Sequence, residues 1–257
     1  MRDAPNQRLV QGNISTGHSG LFLDRDFVSY KATDVSFQSP YEKNGSAYNA
    51  TPADFGTATS TYTRSRPAPN LIGGFAIGDR FLNRRLGVVL MGSFQNTYRG
   101  SNSLFFNGDV SDTLRGIVLT KSSERQFSER QTRYGIHSKV DFRLNDRNRI
   151  QWYGAFMNLT NVQIRETKGT ELGIGGYDPV LGNAGLNFAT RSRLTRQQIF
   201  TSTLQGTHRQ TDTFGVQCSA VGSMATNAVA DQTNVPLLGV RRAFVETRTT
   251  INDGSRR

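Results

Sequence analysis

The 257-residue chain has one cysteine, Cys218, which excludes an internal disulfide. It has no apolar run near the ~20 residues that a membrane helix needs; the best is Leu86 to Met91. That excludes a transmembrane α-helix but not a transmembrane β-strand, half of whose positions can be polar. Missing too is a signal-like apolar stretch at the start, since Met1-Arg2-Asp3-Ala4-Pro5-Asn6 is polar. Taken literally, that start would leave the chain in the cytosol. Carboxylates are outnumbered, 20 against 31 basic residues, for a net charge of +11, and lysine contributes only 5 of the 31. Only 35% of the chain is hydrophobic, yet it holds 16 Phe and 8 Tyr. Such a mixture argues against a helical bundle, and the aromatics argue against disorder because they can bury surface.

What is there is period-2 alternation. Tyr134, Ile136, Ser138, Val140, Phe142 and Leu144 share one face, and Gly135, His137, Lys139, Asp141 and Arg143 the other. A helix would mix those charges among Val140 and Phe142. Asn145-Asp146-Arg147-Asn148 reads as a turn, and Ile150, Trp152, Gly154 and Phe156 continue the apolar face beyond it. Upstream, Leu71, Gly73, Phe75 and Ile77 form one arm of a hairpin. Its turn is near 82–85, and Val88, Leu90, Gly92, Phe94 and Tyr98 form the other arm. Downstream, 198–208 reads as a strand whose facing is open between Ile199/Thr201/Thr203 and Phe200/Ser202/Leu204. After a turn at 210–212, Phe214, Val216, Cys218, Ala220, Gly222 and Met224 share a face. A seventh strand is expected from Arg8 to Thr16.

Short turns near 82–85, 145–148 and 210–213 alternate with long polar stretches near 17–69, 99–130 and 165–195, which are expected to be loops. Short–long alternation between amphipathic strands is the pattern of an outer-membrane barrel. The predicted class is therefore all-β: an antiparallel transmembrane β-barrel, incomplete, with about seven strands of a larger barrel. Tyr98, Tyr134 and Trp152 are candidates for aromatic girdles at the interface levels.

Several segments also resemble TonB-dependent outer-membrane receptors. Met1-Arg2-Asp3-Ala4-Pro5 resembles the junction between plug and barrel. Pro69-Asn70-Leu71-Ile72-Gly73-Gly74, Gly78-Asp79-Arg80-Phe81, Leu86-Gly87-Val88 and Ser93 to Gly100 resemble an early barrel hairpin, and Val140 to Ile150 is similar to a recurrent hairpin of these barrels. The resemblance covers roughly residues 1–225. It implies residues 1–7 as the end of the junction, 8–225 as partial barrel and 226–257 as a truncated loop or tail. It further implies a plug inside a barrel of about 22 strands, and uptake of a bulky ligand (siderophore, cobalamin or oligosaccharide) energised by the TonB complex. The chain would then be a fragment with Met1 an internal methionine. It would sit in the cell outer membrane among lipid and lipopolysaccharide. TonB would reach it only through a plug outside this sequence. It would be no enzyme, hold no cofactor or metal, and bind no nucleic acid.

Other candidates are weaker. His18, His137 and His208 match no metal spacing. Gly17-His18-Ser19-Gly20 misplaces the second glycine of a nucleophile elbow. Gly73 to Asp79 lacks the lysine of a phosphate loop. Asn-X-Ser/Thr triplets at Asn13, Asn44, Asn49 and Asn158 are expected by chance in so polar a chain, and Cys218 reads as a small hydrophobe. Ligand contacts are expected in 99–130 and 165–195, with no residue singled out. Basic groups there would attract anionic ligands or lipopolysaccharide phosphates. Rival classes are a passive porin-type barrel, a soluble secreted β-sandwich binding carbohydrate or protein, and a basic nucleic-acid-binding barrel.

Overall fold

A computed structural model describes residues 7–59, 61–112, 116–172, 185–211, 213–233, 237–242 and 246–251. The expected end of the junction, residues 1–7, and the tail beyond 251 lie almost wholly outside them. The fold is all-β. Strand β1 (Leu9–Gly17) is followed by an insert, residues 18–69. The insert holds α1 (Leu21–Asp24), β2 (Phe27–Ser29), α2 (Pro40–Asn44) and β3 (Thr63–Ser65), with β2 and β3 paired to each other. Then come β4 (Asn70–Phe81), β5 (Leu86–Asp112), β6 (Gly116–Asn145), β7 (Asn148–Glu171), β8 (Gly185–Arg209), β9 (Gly215–Thr233), β10 (Leu237–Arg242) and β11 (Glu246–Ile251). Nine of these form one antiparallel sheet in the order β1-β4-β5-β6-β7-β8-β10-β11, with β9 also on β8. β9 pairs with Arg191–Arg209 of β8 and β10 with Gly185–Phe188, so the two lie end to end along one neighbour. The sheet is open at β1 and at its far side.

Three expectations change. Residues 99–130 and 165–195 are largely strand. β5 is 27 residues long and β6 is 30, pairing from Leu86↔Phe142 up to Asp112↔Gly116. Polar cross-strand pairs carry these extensions, such as Lys121 Nζ on Glu171 Oε1 at 2.9 Å and Arg130 Nε on Asn96 Oδ1 at 3.0 Å. Polar side chains stand at both odd and even positions there, as at Arg125, Gln126, Ser128 and Glu129, so hydrophobic alternation has nothing to report. Residues 226–251, expected as a loop or tail, continue the sheet through β9, β10 and β11. Tyr98, expected in a girdle, lies under the insert, edge-on to Phe27 at 5.1 Å.

The expected faces appear as expected, and register joins them across strands. Phe81, Leu86, Phe142, Ile150, Gly206 and Cys218 form one row. Phe75, Gly92, Ile136, Phe156, Phe200 and Met224 form another. The facing of β8 is thereby resolved in favour of Phe200, Ser202 and Leu204. Turns are tight: Asp146-Arg147 alone link β6 to β7, with Asn145 Oδ1 accepting from Arg147 N at 3.0 Å. Leu82, Asn83 and Arg84 all take positive φ, giving a left-handed turn between β4 and β5.

The insert is anchored high on the apolar face. Phe22 is fully buried against Gly100, where an added Cβ would come within 2.7 Å of Phe22 Cζ and of Arg25 Nη2. Val28, Tyr30, Val35 and Ala58 of the insert pack with Ile164, Leu194 and Ala230 of the sheet. Arg25 donates to the Phe127 carbonyl at 2.6 Å, Val28 N donates to Ser128 Oγ at 3.2 Å, and Ser192 Oγ donates to the Ala58 carbonyl at 3.0 Å. A capping box, Ser39 with Glu42, starts α2. Gly100→Val should undock α1 at a cost of about 1–3 kcal/mol. Limited proteolysis should then cleave within 18–69, while Gly222→Val, in open space, leaves the cleavage pattern unchanged.

Candidate functional site

The two faces of β4–β9 differ chemically. On the first, four successive rows from Phe142 up to Ile136 hold Phe, Leu, Ile, Val, Trp, Met, Ala, Gly, Ser and Cys, with one charged side chain, Asp79. Above them a row of Gly73, Phe94, Tyr134, Asn158, Gln198 and Thr226 turns polar. From Phe142 to Tyr134 is nine residues, about 26 Å along the strand. Large side chains here stand exposed: Phe75 47%, Ile136 52%, Phe200 48%. Small residues accommodate aromatic rings. The Phe75 ring lies across Gly92, and Trp152 lies over Gly154 to donate its Nε1 proton to Ser202 Oγ at 3.0 Å. Tyr134 and Phe156 rings tilt together at 6.2 Å. Among the described residues no element covers this belt.

The second face is polar, and its side chains screen one another. Asp141 is fully buried, Lys139 7% exposed and Ala155 4%. Small and polar groups crowded on one side, with large apolar ones splayed on the other, mark a sheet curled with its polar face inside. Asp141 Oδ2 accepts a hydrogen bond from Arg80 Nη1 at 3.1 Å and forms an ion pair with Arg149 Nη2 at 3.3 Å. Arg80 reaches it across Gly87, which lies between them in register. Arg80 also donates to the Arg84 carbonyl at 3.3 Å, tying the left-handed turn to the same cluster. His137 Nδ1 meets the Tyr153 hydroxyl at 2.9 Å, the rings stacked. These two, with Lys139, Gln151, Thr203 and Gln205, line a polar groove of about 630 Å³.

The weaker candidates stay apart. His137 lies on the polar face, His208 by Asn148 beside a turn, and His18 just past β1. Among the described residues no three His, Cys, Asp or Glu side chains group as metal ligands. Gly73 to Asp79 is strand β4. Cys218 is exposed on the apolar face, its Sγ 3.7 Å from the Gly206 carbonyl oxygen. In the insert, burial pulls the Arg25 pKa below its usual value, with Glu166 opposing and Arg64 adding. Hydrogen bonds from Thr51 N and Oγ1, both 2.8 Å, hold Asp54 below the usual carboxylate range. Sequence reasoning did not find the Arg80–Asp141–Arg149 cluster, because Arg80 and Asp141 are 61 residues apart.

Comparison with protein-family models, curated proteins and solved structures finds no match for this chain.

Removing Asp141 leaves two arginines facing each other, so Asp141→Ala should cost about 3 kcal/mol. Arg80→Ala should cost about as much, and the double variant clearly less than their sum. Urea midpoints in detergent micelles test this.

Proposed function

We propose that this chain is part of the barrel wall of a TonB-dependent outer-membrane receptor that imports a bulky ligand. The observation that carries the proposal is the uncovered apolar belt on a sheet whose other face is ionic. In water, leaving Phe75, Ile136, Phe200 and Met224 exposed together would waste the main driving force of folding. In hydrocarbon the same row is at rest, and the buried charges face a water-filled lumen. A transmembrane strand needs 9–11 tilted residues, which matches the height of the belt. The short turns at 82–85 and 146–147, against the long extensions on the opposite side, support periplasmic turns and an external upper end. The sequence resemblance supports the receptor class over a passive pore.

The open sheet supports the fragment reading. Each unpaired backbone group in lipid costs several kcal/mol, so more strands must complete the wall. The plug, the coupling to TonB and the outer-membrane lipid partners belong to the proposal on the same footing.

Leu90→Arg, at mid-height of the belt, should cost about 2–4 kcal/mol in lipid. Refolded into phosphatidylcholine vesicles and floated on a density gradient, the parent chain should rise with lipid and Leu90→Arg should fall markedly. Gln151→Arg, on the polar face, should float like the parent. A parent chain that stays folded and free of vesicles would overturn the reading.

A further inference from the structure

Above the belt, six of the eight described arginines of β5 to β8 lie on the polar face, Arg130 and Arg196 being on the other. Register places Arg99 in one row with Glu129, Gln163 and Arg193. The next row holds Ser101, Phe127, Arg165 and Arg191, and the one above it Arg125 with Thr167 and Ala189. Two rows below the first, Arg133 lies beside Gln95 and Leu159. These six arginines occupy odd-numbered positions on paired strands, the side that carries Lys139 and Asp141 lower down. Glu129 is the one described carboxylate side chain in these rows, and Asp231 is in register with Arg193. The wall keeps a surplus of four positive charges. The opposite face at the same height carries a surplus of one among its strand residues: Arg130, Lys168 and Arg196 stand against Glu124 and Glu166, with Glu124 in register with Lys168 and Glu166 meeting Arg64 of the insert.

Two aromatics lie within the basic wall. Phe127 shares its row with Arg165 and Arg191, and the Arg125 guanidinium lies 4.3 Å from the centre of the Phe105 ring. Arg165, Arg191 and Arg193 each have an interaction with a neighbour. Four strands thus present planar, two-pronged donors along one surface. Arginine in that arrangement grips carboxylate and phosphate oxygens pairwise, and a low-dielectric wall concentrates the field.

We infer that the upper polar wall formed by β5 to β8 is an anion-recognition surface, and that the ligand is a multiply charged small anion bearing carboxylates or phosphates. This rests on the receptor reading for its role in import, but the binding itself does not need lipid. The face that curls inward carries the excess charge, so the anion meets Arg165, Arg191 and Arg193 together rather than singly.

Calorimetric titration of the chain in neutral detergent at low salt tests the inference, with citrate and inorganic tripolyphosphate as probes and uncharged raffinose as control. At least one anion should bind, with affinity falling as salt rises, and which one it is separates carboxylate from phosphate recognition. The triple variant Arg165→Gln/Arg191→Gln/Arg193→Gln should weaken binding by about tenfold or more. The matching triple lysine variant, which keeps charge and bulk, should retain most of it. Arg84→Gln/Arg85→Gln, at the other end of the strands, should change nothing. Raffinose bound as tightly as the anions, no anion bound by the parent, or anion binding intact in the glutamine triple variant would each overturn the inference. Vesicle flotation is read separately. A chain that binds citrate through this wall yet stays off lipid keeps the inference and loses the receptor reading; one that floats but ignores both anions does the reverse.

Discussion

Everything in this sheet depends on parity. A strand has two faces, and antiparallel register carries each face unbroken to the next strand. From β4 to β9 no slip occurs between Phe81 and Gly73, so one set of numbers decides what meets what over six strands. A shift of one residue between β6 and β7 would set Asp141 against Ile150 or Trp152, and Lys139 against Trp152 or Gly154. The cost of desolvating those ions without partners is several kcal/mol each, far above the gain from any single cross-strand pair. The Arg80–Asp141–Arg149 cluster therefore does more than hold three charges: it binds β4, β6 and β7 in the one register that satisfies it.

The insert sharpens the contrast between the upper and lower wall. It has its own small core, around Val28 and Tyr30, and it chooses Ile164, Leu194 and Ala230 to cover. The apolar band from Phe142 to Tyr134 is broader, yet the insert leaves it bare. That placement supports the proposed lipid-facing belt. The same placement leaves the polar face of the upper strands open, with its arginines unobstructed by the insert.

Amphipathic stretches were legible from residue order, and polar ones were not. Tyr134 to Phe142 alternates greasy and charged side chains, so a strand and both its faces can be read directly. Ser122 to Gln131 is just as extended, but Arg125, Gln126, Ser128 and Glu129 are polar on either side, so composition resembles a loop. Its strand character comes from neighbours: Glu129 has Gln163 across from it, Nε2 to Oε2 at 3.3 Å. β8 shows the intermediate case, where Ile199 and Phe200 compete and only pairing to Met157 and Phe156 decides. The arginine wall stayed hidden for the same reason: odd numbering is visible, but it means nothing until the residues are known to be strand.

The open edge at β1 is where the proposed wall takes its next strand. β4 continues three residues past Gly78, the last that β1 pairs, and there Asp79, Phe81 and Val88 border a depression of about 530 Å³ with Arg8 and Val10 on its rim. Val10 is 66% exposed and Ile14 77%, more than any side chain of the belt's interior rows on β5 to β8. In water such an edge invites indiscriminate pairing, and β1 has none of the usual defences: no proline, no bulge and no charge within Leu9–Gly17. In a closed wall the defences are unnecessary, because the next strand takes up the free amides and carbonyls. Under the proposed barrel-wall reading, an undefended edge whose side chains continue the greasy face takes a further strand of the same wall as its neighbour, because lipid leaves no other partner for its free amides and carbonyls.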